Sequence, residues 1–297
     1  MNRTQANLLL ILAGAIWGMG FVAQSTAMDS IGPFLFIGLR FAAATLAVLP
    51  LAVLESRRAP VAMSRPQWNA FMLIGLMLFG GIAFQQIGIL TTTVTNSGFL
   101  TGLYVVMTPI CGVLLFRHWP HIAVWTASFI AMAGIWLLAG GSLSALNQGD
   151  WFTMLAALFC AFQLVLIGRH AAQTGRPVTM AVTEFAICAV LGLSLAVLFE
   201  PISLAAIKQA APQILYSGIF SGGIAFTLQA IGQRYTTSAQ AAIFLSSEAV
   251  FAALFGALLL GERLPLIGWA GCAFIFVAIL IAEAVPALAR KPAVANP

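Results

Sequence analysis

The sequence predicts an all-α polytopic membrane protein, with ten transmembrane helices arranged as two inverted-topology repeats of five. Three observations predict it. Of 297 residues, 61% are hydrophobic and 7% are charged; a soluble domain carries about 25% charged residues, so there is too little polar surface here to coat a soluble particle. Apolar runs long enough to cross a bilayer recur along the whole chain. Residues of the second five runs match those of the first at a constant offset of 144 positions.

A spanning helix needs about 20 mainly apolar residues. Such runs lie at roughly 7–26, 32–54, 67–88, 94–116, 121–139, 150–170, 178–199, 212–232, 238–260 and 266–285. Turn chemistry separates them: Asp29 to Pro33, Arg57 to Pro60, Trp119-Pro120, Gly140 to Ser142, Gly175 to Pro177 and Arg263 to Pro265. The first run, Leu8 to about Ala27, is longer than the apolar core of a signal peptide and lacks a convincing cleavage site, so it reads as an uncleaved span. Cys111, Cys160, Cys188 and Cys272 all fall inside apolar runs without metal-ligand spacing, and read as small packing residues. No metal or cofactor is expected.

The formal charge of +5 would point to nucleic acid only if the basic residues clustered on a soluble face. With the N-terminus placed in the cytoplasm, ten Lys and Arg fall in cytoplasmic segments and two, Lys208 and Arg263, fall outside; Arg40 lies within a span. That bias orients a membrane protein with both termini cytoplasmic, and nucleic acid is not needed to explain it. A bacterial-type inner membrane is the expected location.

The repeat shows in many matches at one offset. Arg40-Phe-Ala42 faces Glu184-Phe-Ala186, and Leu51 to Leu54 faces Leu195 to Leu198. Gln85, Gly88 and Val106 match Gln229, Gly232 and Val250. The string GGIAF occurs at Gly80 to Phe84 and again at Gly222 to Phe226, a two-residue slip. The first repeat is expected to cover residues 1–143 and the second 144–297. An odd number of helices per repeat inverts the second half in the membrane, the arrangement of alternating-access transporters with a site at the midplane.

With these residues in view, the chain resembles the drug/metabolite transporter superfamily, in particular its ten-helix EamA-type amino-acid and metabolite exporters. The resemblance rests on Trp17-Gly18, Leu39-Arg-Phe41, Ala161 with Arg169, and Glu248 to Ala253 followed by Gly256, Gly261-Glu262 and Gly271. It is most similar to the aromatic amino-acid exporter branch. The first half departs from the pattern, carrying Arg117-His118 where the second has Gly261-Glu262.

Polar residues at membrane depth are functional candidates. By 3.6-residue spacing, Gln240, Phe244 and Glu248 share one face of the ninth helix, and the repeat presents Asn96 and Tyr104 likewise. Gln85, Gln163 and Gln229 are amides inside spans, and a buried amide needs partners. Trp17 and Phe21 form an aromatic stripe beside Gly14, Gly18 and Gly20, which make room there; such a stripe serves packing or a ligand. Arg40 and Glu184 occupy equivalent positions with opposite charge. Either Arg40 snorkels or bonds carbonyls, or the two pair or gate a pathway. Glu248 has three readings: a protonated structural carboxyl, a proton-coupling site, or the anchor for an ammonium.

The expected function is export of amino acids or similar small zwitterions by alternating access, the protein acting as a monomer. The expected site residues are Trp17, Phe21, Gln85, Asn96, Tyr104, Gln163, Gln229, Gln240, Phe244 and Glu248, with Arg40, Glu184 and Glu248 as gating or coupling candidates. In that reading amides and helix termini receive the substrate carboxylate, Glu248 its ammonium and aromatic groups its side chain. A drug or other metabolite exporter of the same superfamily is the alternative. An integral-membrane enzyme is remote: His118 and His121 have an apparent ligand spacing, but Pro120 between them argues for a turn.

Overall fold

The computed structural model describes residues 1–92, 94–117, 119–138, 146–260 and 266–289, without the side chains of 94–96, 260 and 285–289. Among the described residues, ten long helical units follow one another, with one short helix, Leu204–Gln209, between the seventh and the eighth. They are α1 (Arg3–Ala27), α2 (Pro33–Arg58), α3 (Arg65–Gly88), α4 (Val94–Thr101 and Tyr104–Phe116), α5 (Ile122–Leu138), α6 (Gln148–Thr174), α7 (Pro177–Phe199), α8 (Ala211–Leu215, Tyr216–Ala225 and Phe226–Gly232), α9 (Ser238–Leu245 and Ser247–Leu260) and α10 (Leu266–Ala289). All except α5 are long and apolar enough to cross a bilayer; α5 has 17 described residues. The boundary expected between residues 143 and 144 lies outside the described residues.

Helix starts follow the sequence. Asn2 and Asn147 cap α1 and α6, each in a reciprocal box with the residue three positions on, Gln5 and Asp150. Pro33 and Pro177 open α2 and α7, where the missing N–H costs nothing. The remaining orphan N–H groups at those two starts are met by carboxylates from the far end of the partner helix. Glu200 accepts from the Phe34 and Leu35 amides at 2.8 Å each. Glu55 accepts from the amides of Val178 (3.2 Å) and Thr179 (2.7 Å) and from the Thr179 hydroxyl at 2.7 Å. A negative group at a helix N-terminus also complements the helix dipole. The repeated Leu-Ala-Val-Leu strings therefore each lead into a cap, Glu55 at one end of the bundle and Glu200 at the other.

The packing of the helices is itself symmetric under exchange of the halves. α2 packs on α7, α5 on α10 and α4 on α9, each helix meeting its own repeat mate. The other contacts come in matched sets: α3 on α6 with α8 on α1, α3 on α7 with α8 on α2, and α4 on α6 with α9 on α1. Glycines mark equivalent crossings. A Cβ on Gly75 would come within 3.2 Å of the Glu184 Cα, and one on Gly218 within 2.7 Å of the Arg40 carbonyl oxygen. Likewise Gly88 lies on the Gly149 carbonyl and Gly232 on that of Ala6. An inverted repeat needs these contacts twice, once on each side of its pseudo-two-fold axis.

Two features depart from the expected continuous spans. The runs at 94–116 and 238–260 are each broken at the same place in the repeat, at Gly102-Leu103 and at Ser246. Across the breaks the backbone closes with shorter bonds, Val105 N–H to the Gly102 carbonyl and Ala249 N–H to that of Ser246. The Ser246 hydroxyl caps the Ile243 carbonyl at 2.6 Å, the local competition by which serine loosens a helix. In α8, Tyr216–Ala225 is π-helical, whereas α3 is α-helical throughout. Thirteen residues separate Gly75 from Gly88, and fourteen separate Gly218 from Gly232. The wider π turns take up the additional residue. As a result the two GGIAF strings are not equivalent in space: Gly80 and Gly81 face Phe159 and Cys160 of α6, while Gly222 and Gly223 face Ala44 and Val48 of α2.

Candidate functional site

The breaks in α4 and α9 place two new helix starts at the centre of the bundle. Tyr104 begins the second segment of α4, and Glu248 is in the first turn of the second segment of α9. There Glu248 gains from the helix dipole, a structural benefit independent of any ligand. Tyr104 and Glu248 are repeat mates, and they meet: the Tyr104 hydroxyl lies beside the Glu248 carboxyl, without a well-formed hydrogen bond in this conformation. α1 comes close enough to reach them because Gly14 and Gly18 have no side chains. A Cβ on Gly14 would lie 2.5 Å from the Ser247 hydroxyl, and one on Gly18 2.7 Å from the Ala252 nitrogen. These glycines make room for the broken helix α9 rather than for Trp17.

Around this meeting point is a small cavity of about 70 Å³. Trp17, Phe21, Gln85, Tyr104, Gln163, Gln229 and Glu248, all expected from sequence, line it, and so does Arg40. Gln24, Phe41, Thr101, Cys160, Ser221 and Phe226 also line it. Sequence reasoning missed these as wall residues; Phe41 and Phe226 were within strings noted for other reasons. Gln240 and Phe244 do not line this cavity. Spacing by 3.6 residues puts them on the face of Glu248 in a continuous helix; here the break at Ser246 intervenes, and Leu245 rather than Phe244 lines the cavity beside Glu248. Gln240 instead bonds the Ala282 carbonyl (3.2 Å) and accepts from the Thr237 hydroxyl (2.9 Å). Phe244 is buried among apolar residues of the core. The Asn96 side chain lies outside the described residues.

The wall chemistry is mixed. Trp17 stacks obliquely on Phe226, ring centroids 4.6 Å apart, and donates its Nε1–H to the Ser221 carbonyl at 3.0 Å. That carbonyl belongs to the π segment of α8, so the extra residue serves the cavity wall directly; π turns often occur at such sites. The amides are engaged with their neighbours. Gln229 donates to Gln163 at 3.3 Å, Gln163 donates to Glu184 at 2.8 Å, and Gln85 donates to the Thr101 hydroxyl at 3.0 Å. Glu184 stands behind the wall as the end of this chain. Arg40 and Glu184 make no ion pair here; Glu184 accepts from Gln163 instead. Arg40 lies over the rings of Phe36 (5.1 Å) and Phe41 (4.9 Å), and its Nε and Nη2 have no hydrogen-bond partner.

A second, wider space of about 800 Å³ opens at the end of the bundle that carries the N-terminus, lined by Arg3, Thr108, Phe116, His121, Gly168, Arg169 and Thr236 to Gln240. Along α4 and α6, one turn separates a cavity residue (Tyr104, Leu164) from a vestibule residue (Thr108, Gly168). The barrier on this side is thus only about 6 Å thick at ~1.5 Å per residue. Of the two histidines once weighed as ligands, His121 accepts a hydrogen bond from the Ala123 amide at 3.2 Å and so caps α5; His118 lies outside the described residues.

A family model for EamA-like transporters matches residues 4–140 and again 147–283, one copy for each half. The chain belongs to the EamA-like transporter family. It is a multi-pass membrane transporter, similar to an uncharacterized transporter of Archaeoglobus fulgidus, with 31% identity over 95% of this chain and 86% of the relative. It is also similar to the uncharacterized transporter YwfM of Bacillus subtilis, at 26% identity over 94% of each chain. A third relative is the uncharacterized inner membrane transporter YedA of Escherichia coli K12, at 26% identity over 90% of this chain and 86% of that one. A solved crystal structure superposes with a TM-score of 0.80 at 18% identity, over 97% of this chain and 100% of that one, which shows the fold. Among EamA-like transporters, then, the two family copies coincide with the two halves whose helices pack as mates.

Proposed function

We propose that this EamA-like transporter exports neutral amino acids or similar small zwitterions, aromatic ones among them, by alternating access through the central cavity. The observation that carries the reading is the composition of that cavity. A single carboxylate, Glu248, shares a small space at the meeting of the two halves with Trp17, Phe21 and Phe226. The carboxylate suits an ammonium group and the rings suit an apolar side chain. The cavity, at about 70 Å³, is far smaller than the ~300–1,000 Å³ of an occupied ligand site, so the walls must part to admit a substrate. The thin barrier toward the vestibule supports that end as the next to open. The distribution of Lys and Arg supports a cytoplasmic N-terminus, which makes the vestibule the cytoplasmic entrance in an inner membrane. Packing between the halves is complete within one chain, which supports action as a monomer.

The test is uptake of labelled phenylalanine, methionine and threonine into proteoliposomes, with and without a pH gradient, for wild type and Glu248→Gln. Wild type is expected to take up at least one of them, with Glu248→Gln reduced about tenfold, as for loss of a hydrogen bond to a charged group. No uptake of any amino acid by wild type would sink the reading. Uptake that depends on the pH gradient in wild type and not in Glu248→Gln would assign Glu248 to proton coupling instead.

A further inference from the structure

Arg40 is 3% exposed and lines the central cavity. A buried guanidinium needs hydrogen-bond acceptors, because desolvating a charge is costly unless it is paired. The faces of Phe36 and Phe41 offset part of that cost. They accept nothing in the plane of the guanidinium, where its N–H groups point. Nε and Nη2, which are both buried without a hydrogen-bond partner, lie on one edge of the group. That edge presents two parallel N–H bonds and matches a carboxylate in bidentate fashion.

Among the described residues, nothing fills this role. Glu184, the repeat mate of Arg40, accepts from Gln163 and makes no hydrogen bond with Arg40. Glu248 is on a different wall, beside Tyr104. The cavity amides, expected from sequence to receive a carboxylate, donate to one another, to Glu184 and to Thr101. An anion entering as the walls part is therefore the acceptor that the free edge lacks.

We infer that Arg40 is the anchor for the carboxylate of the substrate, so that the cavity grips a zwitterion between Arg40 and Glu248. The inference rests on the central cavity being the substrate site. It deepens that reading by replacing the amides with a guanidinium. It also separates two classes of ligand by mechanism: an acid without an ammonium needs Arg40, and an amine without a carboxylate does not.

The experiment measures binding to the purified full-length protein by calorimetry. The probes are phenylalanine, 3-phenylpropionate, which lacks the ammonium, and phenethylamine, which lacks the carboxylate. In Arg40→Met, phenylalanine and phenylpropionate should each weaken by about tenfold or more, while phenethylamine holds within about twofold. Arg40→Lys, which keeps the charge and loses the fork, should fall between. In wild type alone, phenylalaninamide should bind at least about tenfold more weakly than phenylalanine, a comparison that stands even where a variant fails to fold. Equal weakening of all three probes in a folded Arg40→Met would make Arg40 structural and overturn the inference. So would unchanged carboxylate binding in that variant, or wild type that binds no carboxylate probe. Arg40-dependent binding of phenylpropionate by a protein that transports no amino acid would remove the amino-acid reading and leave the carboxylate anchor standing.

Discussion

α2 with α7 and α4 with α9 are both pairs of repeat mates that meet across the pseudo-two-fold axis, yet they are built in opposite ways. The first pair is continuous and fastened at both ends, Glu55 on the start of α7 and Glu200 on the start of α2. The second pair is broken in the middle of each helix and meets through Tyr104 and Glu248. The difference teaches where each kind of polar group is tolerated. Carboxylates at the ends of the bundle satisfy backbone N–H groups and stiffen a pair. Polar groups at its centre need a helix break and a cavity. A rigid pair beside a divided pair is what a rocking motion of two halves requires, since movement must concentrate somewhere.

The largest effect is expected from Gly18, which lets α1 lie on the second segment of α9. In Gly18→Val the new side chain would meet the backbone of Phe251 and Ala252, and neither can move without shifting α9. The cost is about 3 kcal/mol or more, read as loss of monodisperse protein in gel filtration and a lower melting temperature. A folded, normally stable Gly18→Val would mean that the divided pair is not held by this contact.

Removing the end caps should cost less. Glu55→Ala and Glu200→Ala are each expected to destabilise by about 1–2 kcal/mol, Glu55→Ala the more because it accepts three bonds against two. The caps lie at opposite ends of helices some ~35 Å long. Thermal melts of the double variant should therefore show additive losses, and strong non-additivity would mean that the two ends communicate through the pair.

Tyr104 and Glu248 sharpen the comparison inside the divided pair. The Tyr104 hydroxyl makes no well-formed hydrogen bond in this conformation, so Tyr104→Phe should change amino-acid affinity less than about threefold, against about tenfold for Glu248→Gln. Equal losses, measured by the same binding assay, would mean that the two mates act as one unit. The smallest effect is expected at Gly98 in the first segment of α4, where an added Cβ meets nothing within 4 Å. Gly98→Ala should be neutral or stabilise by up to about 1 kcal/mol, and a marked loss of transport there would place a moving contact on that face.

Much of the fold was legible because the bilayer imposes a strong rule: a span must be a long apolar helix whose backbone bonds are internal. Even the offset survived, since Gln85 with Gln229 and Gly88 with Gly232 stand at equivalent places. The caps were visible in outline, as a glutamate following each Leu-Ala-Val-Leu string, and were passed over because their partners lie more than a hundred residues away. Gln240 and Phe244 lie apart from the cavity that Glu248 lines, and the reason is local. Helical periodicity assumes that the helix continues, and a serine at position 246 does not by itself announce a break.

By itself, the sequence determined the class, the ten spans, the inverted duplication and most of the polar residues at membrane depth. These follow from hydropathy and from repetition along one chain. Only the tertiary structure decided which of those residues share a cavity, that the amides are bonded to one another and to their neighbours, and that Arg40 has a free edge. Those facts depend on helix breaks, on a single additional residue in α8 and on glycine crossings. Each of these rotates or shifts a face by less than one turn, and hydropathy averaged over a whole span does not register so small a change.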